Sequence, residues 1–72
     1  MNTLYTIEIN RARNTKRREK GLTAEGVNAR DALRKALGSR IDWASLTVVE
    51  STYWRIVYAG MIDNQVCTII VK

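Results

Sequence analysis

Residues 3–9 alternate in character, with Thr3, Tyr5, Ile7 and Ile9 on one side and Leu4, Thr6 and Glu8 on the other. Period-two spacing of β-branched and aromatic residues predicts a strand. The stretch from Asn10 to Lys20 is polar throughout, with Asn14-Thr15 as the turn apex and Gly21 as its end. Residues 22–27, Leu-Thr-Ala-Glu-Gly-Val, fit either a second strand paired with the first or the opening turn of a helix. The strand is favoured, because a helix beginning at Thr23 would hold Gly26 in its interior at a cost of about 1 kcal/mol.

Asn28 is a good N-cap, Asp31 then lies at the positive end of the helix dipole, and Gly38 supplies the stop. Between them Ala32, Leu33, Ala36 and Leu37 recur at helical spacing, so Ala29 to Leu37 reads as a short helix with one apolar stripe. Its outer side holds Arg30, Arg34 and Lys35, with Asp31 and Lys35 forming an i,i+4 pair. From Ser45 to Lys72 the chain is rich in Val, Ile, Thr, Tyr and Trp and reads as a β-meander. Leu46 and Val48 alternate with Thr47 and Val49, and Trp54, Ile56 and Tyr58 with Tyr53, Arg55 and Val57. Val66 to Val71 repeats the pattern, and Ser51-Thr52 and the loop Gly60 to Gln65 are the connections. The fold class that follows is α+β in ββαβββ order: an antiparallel sheet of four to five strands with one short helix packed on one face, as a single domain over 1–72.

Composition narrows the chemistry. The 72 residues include no His and one Cys, so the usual general base near neutral pH is missing and Cys67 has no imidazole to activate it. The carboxylates Glu8, Glu25, Glu50 and Asp63 are scattered singly, and no Gly-rich phosphate loop is present. No catalytic residue, metal ligand or cofactor is therefore assigned, and the reading is non-enzymatic. Met1 to Tyr5 lacks a basic region and an apolar run, and the longest wholly apolar run, Ile69-Ile70-Val71, is far too short to span a bilayer, so a cytoplasmic protein with no membrane partner is expected. At this length the core is thin, and a second copy is one route to further buried area.

Charge is the strongest signal. The net charge of +5 resides entirely in residues 11–20, where Arg11, Arg13, Lys16, Arg17, Arg18 and Lys20 face only Glu19; elsewhere cations and carboxylates balance. If residues 3–9 and 20–27 pair, the segment 10–20 becomes the basic tip of a β-hairpin, able to lie along phosphates or enter a groove. Arg30, Arg34 and Lys35 on the helix, and Arg55 in the meander, are secondary candidates. Arg55 also has a simpler partner in Glu50 across a short hairpin. The aromatics Tyr5, Trp54 and Tyr58 read as core in a chain lacking Phe, and Trp43, in the connection after the helix, is the candidate for exposure.

Strand Tyr5–Ile9, the stretch Thr15-Lys16-Arg17-Arg18-Glu19-Lys20-Gly21-Leu22-Thr23 and helix Ala29–Leu37 together resemble a group of small bacteriophage proteins that includes an anti-CRISPR inhibitor of type I-F surveillance complexes. The resemblance covers the first half of the chain. It implies a non-enzymatic inhibitor, working in the cytosol of a host cell, that docks on subunits of an RNA-guided complex and keeps target DNA from pairing with the guide. Residue chemistry alone leaves two other readings open. One is a direct DNA- or RNA-binding accessory module using the basic hairpin, and the other an inhibitor of a host protein with an acidic surface.

Overall fold

The computed structural model describes residues 2–11 and 14–72, and their side chains apart from those of residues 14–20. The chain forms strands β1 (Thr3–Arg11) and β2 (Asn14–Gly26), helix α1 (Ala29–Leu37), one 3₁₀ turn (Gly38–Arg40), and strands β3 (Ile41–Ser51), β4 (Ile56–Ile62) and β5 (Gln65–Val71). They make one antiparallel five-stranded sheet in the order β2-β1-β5-β4-β3. This is the predicted α+β architecture, and residues 22–26 belong to a strand.

Register decides which face is covered. Leu22 pairs with Ile7, Ile7 with Val71, Ile9 with Ile69 and Ile69 with Tyr58, and partners across a ladder share a face. Under that face lie Ile7, Ile9, Ile69 and Val71, sealed by Ala29, Leu33 and Leu37 of α1 and closed at one end by Ile41 and Ile62. The opposite face has no helix and is mixed, with Thr6, Glu8, Asn10 and Thr68 around Val57, Ala59 and Ile70. The helix begins as its sequence dictates. Asn28 Oδ1 accepts the Asp31 N–H at 2.8 Å, and Asp31 Oδ2 accepts the Val27 N–H at 3.1 Å. Gly38, at φ 54°, ends it by donating its N–H to the Arg34 carbonyl.

Several boundaries differ from the sequence reading. Gly21 does not end a loop. β2 places Lys20 and Gly21 opposite the single residue Glu8, and Gly21 takes φ +81°, the geometry of a bulge that needs glycine. β2 therefore continues past it, pairing Glu19 with Ile9, Arg18 with Asn10 and Asn14 with Arg11, while residues 15–17 have no partner on β1. Asn14-Thr15 is thus the start of a strand rather than a turn apex. β3 starts at Ile41 rather than Ser45, because the 3₁₀ turn delivers the chain directly to the ladder with Ile62. Gly60 lies within β4, and the connection to β5 shrinks to Asp63-Asn64, both at positive φ (52° and 63°), the two-residue turn whose twist suits a hairpin.

Gly26 sits where β2 passes beneath the start of α1, and a Cβ there would approach the Ala32 backbone nitrogen to 2.6 Å. Gly26→Ala should lower the melting temperature by forcing that approach apart. Leu33→Ala, which opens a cavity at a fully buried position, should cost about 2–5 kcal/mol in urea unfolding. A change below 1 kcal/mol at Leu33 would mean that α1 does not seal the core as described.

Candidate nucleic-acid interface

The cation-rich segment is strand rather than loop over much of its length. Lys16, Arg17, Arg18 and Lys20 lie on the backbone of β2, the edge strand of the sheet, so one side of their backbone has no neighbouring strand. Arg13 lies outside the described residues. Arg11 stands apart from this group. Its partner on β5 is Cys67, its side chain is only 16% exposed, and Nη1 donates to Gln65 Oε1 at 3.3 Å and to the Cys67 sulfur at 3.5 Å. Nη2 also lies 3.9 Å from Asp63 Oδ2, which Arg40 Nη2 approaches at 2.9 Å. Arg11 thus clamps β1 to the β4–β5 turn, and the cations able to meet a partner begin beyond it.

The hydrogen bond from Arg40, with the charges of Arg40 and Arg11, holds the Asp63 carboxyl below its usual range. Asp31 is held lower still, at about 2 against an ordinary 3.8, by hydrogen bonding from Arg34 and the Val27 N–H and by the Lys35 charge. Arg34 Nη2 lies 2.8 Å from Asp31 Oδ1, and Lys35 Nζ lies 3.4 Å from Asp31 Oδ2. Arg55 pairs with Glu50 at 3.1 Å, the cross-hairpin contact anticipated from the sequence. Arg30 differs from these three. It has no carboxylate partner among the described residues, and its guanidinium carbon sits 5.3 Å from the centre of the Trp43 ring. The part of β2 that α1 packs over is Leu22 to Gly26, C-terminal to the cations of residues 16–20.

Two aromatic placements correct the sequence reading. Trp54 is not core: it is 75% exposed and Tyr53 99% exposed. Thr52 donates both its N–H (2.9 Å) and its hydroxyl (3.1 Å) to the Arg55 carbonyl, closing a turn that places residues 53 and 54 at its tip. Their rings meet edge to face at 6.4 Å. Trp43 is half-buried against the core, its Nε1–H donating to the Gly38 carbonyl at 3.2 Å, because β3 already includes it. The local signal was present in Asp42 and Ser45. Asp42 Oδ1 accepts the Ala44 N–H, and Ser45 Oγ donates to the Asp42 carbonyl and accepts the Met61 N–H, building an irregular strand rather than a linker. Tyr5 packs on the core and Tyr58 within it, as expected; burial pushes the Tyr58 phenol up, with the Arg30 charge opposing.

Among the described residues no group of three or more His, Cys, Asp or Glu is placed to hold a metal ion, and no helix is long and apolar enough to cross a membrane. Cys67 is buried beneath α1. No protein family, curated protein or solved structure matches the chain, so the phage resemblance rests on the residues quoted for it.

Because the Asp31 carboxyl titrates lower in the folded chain than in the unfolded one, its stabilisation is complete above about pH 4 and is lost as pH falls through about 2. Melting temperature followed across that window should fall in the wild type. Asp31→Asn should melt lower at neutral pH and show a smaller drop on acidification; an unchanged acid profile would place the acid sensitivity elsewhere.

Proposed function

We propose that the chain is a small non-enzymatic binding protein that contacts the phosphate backbone of nucleic acid through the ribbon formed by β1 and β2. The observation behind this reading is the location of the excess charge. Lys16, Arg17, Arg18 and Lys20 lie on an edge strand whose continuation past Gly21 is held by the ladder to Ile9 and Asn10. A ribbon of this kind offers closely spaced cations at low ordering cost, which is what phosphate contact needs. Cations on an edge strand also discourage pairing with another sheet. That role alone accounts for one or two lysines, and it gives no reason for four cations to crowd into residues 16–20.

A second reading has its own observation. Tyr53 and Trp54 stand exposed on the β3–β4 turn, held in place by Thr52 and by the Arg55–Glu50 pair, and aromatic anchors of this sort favour protein partners. An inhibitor of the anti-CRISPR type, docking on subunits of an RNA-guided complex, would use both the ribbon and this tip. Docking on a host protein with an acidic surface would use the ribbon alone.

Arg17→Glu/Arg18→Glu should abolish binding to nucleic acid while leaving circular dichroism and melting unchanged. Contact with about five phosphates of a duplex gives a log–log salt slope of about −4 to −5. Survival of binding in the double variant would remove the ribbon from the site. A tagged pull-down that retains a defined ribonucleoprotein after exhaustive nuclease treatment would favour the inhibitor reading instead.

A further inference from the structure

On the helix side of the sheet, Val27, Asn28, Arg30, Asp31, Arg34 and Trp43 line an open groove of about 430 Å³. That volume is within the range of small-ligand sites, about 300–1,000 Å³. Its composition is specific. Trp43 supplies the aromatic wall, and it is anchored: its Nε1–H is committed to the Gly38 carbonyl at 3.2 Å, which fixes the plane of the indole. Arg30 is exposed, lies against that indole and has no carboxylate partner among the described residues. Asp31, the groove's carboxylate, is already neutralised by Arg34 and Lys35, so the groove as a whole presents positive charge to an incoming anion. Asn28, exposed at the groove, uses its side-chain oxygen to cap the helix, so the chemistry that it has left to offer is that of an amide donor.

We infer that this groove takes one unstacked base of a single-stranded nucleic acid, the base lying against the Trp43 indole while Arg30 binds its phosphate. The inference rests on the nucleic-acid reading above and adds a strand preference to it. Stacking on an aromatic ring and on a guanidinium plane is how unpaired bases are held, because every base offers a π-face. A duplex keeps its bases stacked internally and gains nothing from Trp43. The groove lies between α1 and Trp43 of β3, at the opposite edge of the sheet from β2, so it is a second contact separate from the β2 cations.

The test uses the Trp54→Phe chain, in which Trp43 is the remaining tryptophan, titrated with a single-stranded oligothymidylate and separately with a duplex of equal phosphate count. The single strand should quench Trp43 emission and the duplex should not. Arg30→Gln in the same background removes the cation that binds the phosphate. It should lower the log–log salt slope of single-strand binding by about one and leave duplex binding unchanged. Single-strand binding that depends on Arg17 and Arg18 but leaves Trp43 emission unaltered would overturn the groove and leave the ribbon standing. Absence of binding to either nucleic acid at low salt would overturn both.

Discussion

One nine-residue helix has to cover a face of a five-stranded sheet, and the rest of the molecule is arranged around where it does so. Leu33 and Leu37 reach the sheet over Ile7, Ile9 and Ile69, the central positions of β1 and β5. That contact fixes the register, because a slip of one residue in β1 would turn Ile7 and Ile9 outward and bring Thr6 and Glu8 into the core. The same contact fixes where β2 can run. It must lie beneath α1 at Leu22, Ala24 and Gly26, and everything N-terminal to the Gly21 bulge extends beyond the helix.

Electrostatics follow from that geometry. Within the body of the domain most described cations are tied to carboxylates: Arg11 and Arg40 to Asp63, Arg34 and Lys35 to Asp31, Arg55 to Glu50. The more exposed of these pairs, Arg55–Glu50, contributes little to stability. The effect of all these pairs is to localise charge. With the body neutral, the positive field originates in β2 and in Arg30, and at physiological ionic strength it decays over roughly 8 Å. A partner bearing phosphates therefore senses the ribbon and the helix side of the sheet, and not the aromatic turn between β3 and β4.

Most of the fold was legible because the periodicities were clean. Alternation in residues 3–9, the Asn28 cap, the Leu33–Leu37 stripe and the Gly38 stop each specified an element, and the elements agree with one another. The misses have local causes. Gly21 and Gly60 read as loop residues when taken alone, yet a bulge and a strand interior also accept glycine, and only pairing to β1 or β5 separates these cases. Trp54 continued the alternation of Ile56 and Tyr58 in sequence, but the double bond from Thr52 to the Arg55 carbonyl breaks the strand there, which no two-residue period reveals. For the candidate interface, composition located the basic segment and could not say that Arg11 is held by Asp63 and Gln65. The proximity of Arg30 to Trp43 depends on how α1 lies beside β3, a tertiary relation with no trace in residue spacing.

A single nucleic-acid strand is assigned two contacts, the cations of β2 at one edge of the sheet and the groove between α1 and Trp43 of β3 at the other. Amide and indole chemical shifts followed by NMR during titration with an oligothymidylate test that assignment most directly. Shifts should concentrate at residues 14–20, Arg30, Arg34 and the Trp43 indole N–H, with the turn at Tyr53 and Trp54 unmoved. Shifts confined to that aromatic turn, or to the uncovered sheet face around Val57 and Ile70, would contradict it.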